Sequence, residues 1–110
     1  MAFRRFWIEN YLSANPEELS VIKVRGDSME PVLYNNDNIL VNHAKRQPGS
    51  GLFVVRIGSE LVVKYTQIMP GGKLLLKSAN PIYEPFEVEL AEQDSGVEII
   101  GRVEWFGRQV

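Results

Sequence analysis

The fold of this chain is decided by one stretch, Leu52-Phe53-Val54-Val55-Arg56-Ile57-Gly58-Ser59-Glu60-Leu61-Val62-Val63-Lys64-Tyr65-Thr66. Two runs rich in β-branched and aromatic residues flank the pair Gly58-Ser59, and a two-residue connection of this composition predicts a β-hairpin. Because side chains on a strand point alternately to its two faces, Lys64 shares a face with Val62. The sequence therefore predicts a lysine on the second strand of a hairpin, facing a partly buried cleft.

Outside the hairpin, the sequence after residue 20 also contains several segments with the pattern of β-strands. Further strands are predicted at residues 21–25, 39–42, 73–78 and 97–106. Asn35-Asn36-Asp37-Asn38 predicts a turn, since Asn and Asp tolerate a left-handed backbone. Gly101, inside the last strand, indicates a bulge or a close backbone approach. We expect Tyr83 and Phe86 to cover the core of a mostly β fold.

The first nineteen residues follow a helical pattern instead. Aromatic side chains recur four positions apart: Phe3, Trp7 and Tyr11. Asn15-Pro16-Glu17-Glu18 combines a cap residue, a proline at the first helical position and acids in the first turn, which predicts a second short helical turn. We expect residues 1–19 to form a helical connector that docks on the core, and residues 20–110 to form the main domain.

Composition restricts the classes of function. A chain of 110 residues with 45% hydrophobic content suits one domain with a real core. A net charge of -2 gives no basic surface for nucleic acid, and no apolar run approaches the ~20 residues of a membrane span. The amino terminus lacks a signal-peptide pattern, so a cytoplasmic location is the default expectation. With no cysteine and one histidine, the sequence offers no credible set of zinc ligands. We predict no metal and no cofactor.

The segment that carries chemistry is Val24-Arg25-Gly26-Asp27-Ser28-Met29-Glu30-Pro31, and Lys64 lies 36 residues after its serine. A serine hydroxyl is a weak nucleophile that needs a nearby proton acceptor, and an uncharged amine can fill that role. Lowering a lysine pKa from about 10.4 to roughly 7 requires about 4.6 kcal/mol, at about 1.36 kcal/mol per pKa unit. Burial among aliphatic side chains can supply such a shift. We therefore predict Ser28 as nucleophile and Lys64 as general base.

Backbone donors for the same reaction are predicted beside the serine. Gly26 permits a sharp bend after the preceding strand. If residues 28–33 form one helical turn, the amides of Asp27 and Ser28 lie at its start, where unpaired donors can face a developing oxyanion. Two structural alternatives stay open: Ser28 as the N-cap of a short helix, and Lys64 as an ordinary solvent-facing lysine.

Other catalytic arrangements fit the sequence less well. The single histidine, His43, follows a strand within a polar stretch, so we predict a solvated residue rather than the base of a triad. Ser20-Val21-Ile22-Lys23 contains a literal S-x-x-K motif, which needs a helix to join its two ends, whereas these residues favour a strand. A nucleophile elbow is excluded because Glu30 stands where its second glycine is needed.

Four motifs, taken in order, resemble the LexA and phage-repressor peptidase family. They are Gly26-Asp27-Ser28-Met29-Glu30-Pro31, Leu61-Val62-Val63-Lys64, Ser78-Ala79-Asn80-Pro81-Ile82-Tyr83-Glu84-Pro85 and Ile99-Ile100-Gly101-Arg102-Val103. The resemblance implies a mostly β fold of strongly bent antiparallel sheets, with Ser28 as nucleophile and Lys64 as general base. It also implies an oxyanion hole formed by the backbone amides of Asp27 and Ser28.

The resemblance further implies a biological setting. In that family the peptidase domain is the carboxy-terminal half of a transcriptional repressor. It dimerises, follows a helix-turn-helix domain that alone binds DNA, and cuts its own chain at an upstream Ala-Gly bond. A RecA filament on single-stranded DNA is the cleavage co-factor implied, within the SOS response. No Ala-Gly pair occurs here, so we expect a fragment that begins downstream of the cleavage site. Such a fragment could not cleave itself, but it could dimerise and could cut a supplied peptide in trans.

Two other functions stay open. One is a catalytically silent dimerisation and regulatory module, because some members of the resembled family keep this fold chiefly for pairing. The other is a signal-peptidase relative, because Ser28-Met29-Glu30-Pro31-Val32-Leu33 is similar to that family's nucleophile motif, although nothing in the sequence could enter a bilayer. The sequence departs from the repressor pattern at Asn36, where glycine is usual, and at Val32, where threonine is frequent.

Overall fold

The computed structural model describes residues 18–91 and 95–107 of the chain. Seven strands form one sheet: β1 (Leu19–Lys23), β2 (Asn38–Asn42), β3 (Gly51–Ile57), β4 (Glu60–Met69), β5 (Lys73–Lys77), β6 (Phe86–Glu89) and β7 (Val97–Gly107). Their spatial order is β1-β2-β7-β3-β4-β5-β6, and every neighbouring pair is antiparallel. The described ranges contain no α-helix, so the predicted mostly β fold is confirmed. The predicted helical connector, residues 1–19, lies outside those ranges except for its last two residues, and its predicted end is wrong because Leu19 already belongs to β1.

The hairpin predicted at residues 52–66 is confirmed. Ile57 pairs with Glu60 across the turn, where Gly58 has a φ of +61°. β4 then runs on to residue 69, three residues beyond its predicted end. Pairing with β5 begins only at Tyr65, whereas residues 60–66 pair with β3. The outer edge of residues 60–64 is therefore unpaired within the described ranges, which leaves room for a cleft beside Lys64.

The last strand comes unusually close to its neighbour at Gly101. β7 lies between β2 and β3, and its pairing with β3 shifts register between Val54 and Val55. A Cβ on Gly101 would lie 2.7 Å from a methyl carbon of Val41 and 2.8 Å from the carbonyl oxygen of Asn42. No other residue fits that spacing without displacing the neighbouring strand. Both interpretations of Gly101, a bulge and a close approach, are confirmed.

Two clusters of buried side chains form the core. The larger consists of Val24, Met29, Leu33, Ile39, Val41 and Val54, and the smaller of Val55, Leu74 and Leu76. Met29 directly follows Ser28 and is 2% exposed. Burying a side chain of this size contributes about 1.5–3 kcal/mol relative to leaving it in water. The larger cluster therefore anchors the segment that carries the predicted nucleophile.

Candidate active site

Ser28 stands after a bend that a neighbouring turn holds in place. Gly26 has a φ of +85°, a left-handed conformation that glycine adopts without steric cost. Its N–H donates to the side-chain oxygen of Asn35 at 2.9 Å, and the Asn36 N–H donates to the Val24 carbonyl at 2.8 Å. Asn36 has a φ of +76°, which confirms the predicted turn. These hydrogen bonds hold the bend at Gly26 against the turn at Asn36 and fix the direction in which the chain leaves β1.

The residues after this bend form consecutive turns, of which the last closes one helical turn that does not continue into a helix. The Glu30 N–H donates to the Asp27 carbonyl at 3.2 Å, and the Leu33 N–H donates to the Met29 carbonyl at 2.8 Å. Because no helix begins here, Ser28 is not a helix N-cap. The N–H groups of Asp27 and Ser28 donate no hydrogen bond to any residue that the structure describes. Both groups can therefore face an oxygen atom outside the fold, as an oxyanion hole requires.

Lys64 is half-buried on β4 and forms no ion pair with a carboxylate of the described residues. Its Nζ donates a hydrogen bond to Ser78 Oγ at 2.5 Å and lies 5.8 Å from the centre of the Tyr83 ring, within the range of a cation–π contact. The ion pairs of the described ranges involve other cations: Lys45, Arg56 and Lys73. Burial lowers the pKa of Lys64 below its ordinary value. This residue is therefore not an ordinary solvent-facing lysine.

Ser28 and Lys64 are connected through the segment that follows β5. Among the described residues, Lys64 Nζ donates to Ser78, and no hydrogen bond joins the amine directly to the Ser28 hydroxyl. The Asn80 N–H donates to the Ser28 carbonyl at 2.9 Å. The Asn80 side-chain amide donates to the Asp27 carbonyl at 3.0 Å. One short segment thus contacts both residues of the predicted dyad, whose catalytic roles stay a prediction.

Tyr83 lies at the surface beside Lys64 rather than over the core. Tyr83 is 41% exposed and Phe86 is 38% exposed, so the expectation that these two rings cover the core is wrong. For Tyr83 the reason is polar: its hydroxyl donates a hydrogen bond to the Asp27 carboxylate. That bond, followed by the charge of the carboxylate, raises the pKa of the Tyr83 phenol. The ring beside the lysine is therefore neutral at physiological pH.

An apolar cleft opens next to Ser28. Its volume is about 250 Å³, and aliphatic side chains dominate its walls, among them Ile22, Val24, Leu61, Val62 and Val63. The last three belong to the part of β4 whose outer edge is unpaired within the described ranges. An extended peptide can pair with such an edge and place alternate side chains in pockets. The cleft therefore suits a chain segment with aliphatic side chains that passes Ser28.

The other candidate residues lie elsewhere. Ser20 and Lys23 are on strand β1, as predicted, and not on a helix. His43 is half-buried, and its Nε2 shares a hydrogen bond with the Ser20 hydroxyl at 2.5 Å, so the expectation of a solvated histidine is wrong.

In residues 18–91 and 95–107, no group of three or more His, Asp or Glu side chains could hold a metal ion. In the same residues, no helix has the length and apolar character to cross a bilayer.

Sequence reasoning assigned no separate role to Ser78 or Asn80. A signal for Ser78 was present in the hairpin that joins β4 to β5, where Tyr65 opposes Lys77. The next positions outward on the two strands are Lys64 and Ser78, and directly opposed residues on antiparallel strands are close neighbours. No comparable signal exists for Asn80, because its contacts depend on how an irregular loop folds over a distant turn.

Comparison with known proteins gives consistent matches. A family model described as Peptidase S24-like matches residues 2–104. The LexA repressor of Pseudomonas aeruginosa (strain LESB58) is 36% identical over 85 residues, which cover 76% of this chain and 41% of that protein. The repressor protein CI of Enterobacteria phage phi80 is 35% identical over 82 residues, or 74% of this chain and 33% of that protein. The LexA repressor of Shewanella piezotolerans is 34% identical over 79 residues, which cover 71% of this chain and 38% of that protein. The chain thus spans about two fifths or less of the length of these relatives.

Proposed function

This chain belongs to the Peptidase S24-like family, and on that premise we propose that it is the carboxy-terminal domain of a helix-turn-helix transcriptional repressor of the phage type. The domain is a Ser-Lys autopeptidase that also mediates dimerisation. The observation that carries the proposal is the state of Lys64, a half-buried amine with a lowered pKa and no carboxylate partner among the described residues. The LexA and CI repressors among its relatives support the parent class.

The proposed reaction follows from the groups around the bend. Neutral Lys64 accepts the proton of the Ser28 hydroxyl while the serine oxygen attacks the scissile carbonyl carbon. The negative charge that develops on the carbonyl oxygen faces the N–H groups of Asp27 and Ser28. The lysine ammonium then gives its proton to the departing amine, which leaves an acyl-serine. Water hydrolyses this ester, with Lys64 again accepting a proton.

The cleft determines how the substrate lies. Residues 60–64 offer an unpaired strand edge within the described ranges, and Leu61 and Val62 belong to its aliphatic wall. A substrate segment in extended conformation pairs with this edge and brings one peptide bond to Ser28. In the parent protein this segment is the region upstream of the domain, cut at an Ala-Gly bond. In trans, a peptide with aliphatic residues around Ala-Gly has the matching chemistry.

The proposed partners follow from the repressor class. The domain pairs with a second copy of itself and thereby places two helix-turn-helix domains on DNA. The domain itself has a net charge of -2 and does not bind nucleic acid. A RecA filament on single-stranded DNA promotes cleavage in the cytoplasm and thereby couples loss of repression to DNA damage.

A second candidate function is a catalytically silent dimerisation module. The observation in its favour is that Lys64 Nζ donates to Ser78 and, within the described ranges, has no hydrogen bond to the Ser28 hydroxyl. Hydrogen bonds in unliganded active sites are often long and shorten only when substrate binds. Cleavage of a supplied peptide distinguishes the two functions.

The test is cleavage of a synthetic Ala-Gly peptide by the 110-residue chain, followed by mass spectrometry. We expect the wild type to cut at the Ala-Gly bond and Ser28→Ala to lose at least about a thousandfold in rate. The rate should rise with pH, because the neutral fraction of Lys64 grows through a folded-state pKa that lies below 10.5. A folded control is Lys73→Ala, which removes an exposed lysine of β5 and should cut like the wild type.

The outcomes separate the two candidates. Equal cleavage by wild type and Ser28→Ala contradicts the autopeptidase. An intact peptide at every pH, together with a dimer in sedimentation experiments, identifies the silent module. A chain that neither cuts nor dimerises contradicts both functions.

A further inference from the structure

Ser78 occupies a position that the dyad alone does not explain. It directly follows β5 and is only 4% exposed, yet its hydroxyl accepts a hydrogen bond from Lys64 Nζ at 2.5 Å. Two residues further on, the Asn80 N–H is bonded to the Ser28 carbonyl. The backbone that carries the hydroxyl is therefore fixed against the turn that carries the nucleophile.

We propose that Ser78 is a positioning residue for the general base, whose buried hydroxyl holds the Lys64 amine inside the site and orients it toward Ser28. The inference rests on the proposed peptidase function and adds a third side chain to it. Ser78 acts through the lysine and does not touch the substrate.

The chemistry of an amine explains why a hydroxyl suits this place. A neutral amine has two N–H bonds and one lone pair, so donating one N–H to Ser78 leaves the lone pair free for the proton of Ser28. Lysine has a flexible four-carbon stem, and a fixed acceptor removes much of that freedom. A carboxylate in the same position would hold the amine equally well, but its charge would stabilise the ammonium form and remove the base. An uncharged acceptor positions Lys64 without that effect.

No charged or titratable side chain of the described residues takes the place of the Ser78 hydroxyl as hydrogen-bond partner of the Lys64 amine. The titratable groups on the elements next to Lys64 are Asp27 and Glu30 of the turn, Arg56 of β3, Glu60 and Tyr65 of β4, Lys73 and Lys77 of β5, and Tyr83. Asp27 accepts the hydrogen bond of the Tyr83 hydroxyl, and Arg56 is paired with Glu98. Among the described residues, Ser78 is the hydrogen-bond partner of the lysine amine.

A purely structural role makes a different prediction. If Ser78 only fills its buried site, its removal lowers stability but leaves the lysine amine where it is. If Ser78 positions the base, its removal lets Lys64 turn toward water. The lysine pKa then rises toward its ordinary value, and the pH at which cleavage is half-maximal rises with it.

The experiment compares Ser78→Ala and Ser78→Thr with the wild type in the peptide assay across pH. We expect Ser78→Ala to lower kcat by about 10- to 100-fold, with KM within about twofold, since misplacing a catalytic group has effects of this size. Ser78→Thr retains the hydroxyl and should recover most of kcat. Ser20→Ala is the matched control, because it also removes a serine hydroxyl bonded to a basic side chain at 2.5 Å.

A second measurement keeps the inference independent of turnover. The pKa of Lys64 can be followed by the ¹³Cε chemical shift, and we expect it to rise in Ser78→Ala and to stay near the wild-type value in Ser78→Thr. An unchanged pKa and kcat in Ser78→Ala overturn the proposal, as does a threonine variant as impaired as the alanine variant. If the wild type itself does not cut the peptide, the peptidase function fails, and the lysine titration still decides whether Ser78 holds the amine.

Discussion

Two regions of this molecule each contain a serine hydroxyl bonded to a basic side chain, Ser78 with Lys64 and Ser20 with His43, both at 2.5 Å. The first pair lies beside the bend that carries Ser28. The second joins β1 to the residue after β2, at one end of the described sheet. A hydroxyl next to a base is therefore not sufficient to identify a catalytic site.

The surroundings of the two pairs differ in what they offer a substrate. Near Lys64, the turn presents two backbone N–H groups without partners among the described residues, and an apolar cleft of about 250 Å³ opens beside Ser28. Near His43, the backbone is used for structure: the His43 N–H donates to the Glu18 carbonyl at 2.7 Å. Free donors and an adjoining cleft, more than the basic pair itself, therefore distinguish the candidate site.

Removing the two bases should give the largest difference between the regions. We expect Lys64→Ala to reduce peptide cleavage by at least about a thousandfold, because a nucleophilic serine without its base loses most of its reactivity. His43→Ala should cut within about twofold of the wild type, since this residue lies outside the site. Initial rates at one alkaline pH are the measurement. Comparable losses in both variants would remove the distinction between the two regions.

The sequence predicts the local features of the two regions but not the contacts that connect them. The hairpin, the turn around Asn36 and the close approach at Gly101 follow from rules that act over a few residues, and all three are confirmed. The bend at Gly26 is of the same kind. The contact between Lys64 and Ser78 depends on strand register, which the glycine turn between β4 and β5 indicates but does not prove.

The contacts made by side chains on irregular segments were beyond prediction. The sequence predicts Tyr83 over the core, but its hydroxyl donates to the Asp27 carboxylate at the surface. His43 was expected in water because its neighbours in sequence are polar, but its partner Ser20 comes from a strand 23 residues earlier. Long-range polar pairing decided both positions, and no local pattern encodes it.

An intermediate effect is expected from the loop that steadies the bend. The Asn80 side chain donates to the Asp27 carbonyl, which shares a planar peptide unit with the Ser28 N–H. Asn80→Ala should let this unit rotate and misdirect one oxyanion donor. We expect kcat to fall about tenfold, which is below the loss for deleting such a donor outright. The matched control is Asn42→Ala, which removes a buried asparagine bonded to the Ala44 N–H at 3.0 Å in the His43 region. If both asparagine variants lose the same activity, the Asn80 effect is one of general stability.

The smallest effect concerns the second serine pair and tests whether it is structural. Ser20→Ala removes the hydrogen bond to His43 Nε2, and a bond of this kind contributes about 0.5–1.5 kcal/mol to stability. We expect a loss of about 1 kcal/mol in the free energy of unfolding by urea, because a half-buried ring nitrogen loses its partner. Cleavage should stay within about twofold of the wild type, since the Ser20–His43 pair lies at the opposite ends of β1 and β2 from the turns that hold Ser28. A variant with unchanged stability and impaired cleavage reverses the roles given to the two pairs, because the Ser20 hydroxyl would then serve the reaction rather than the fold.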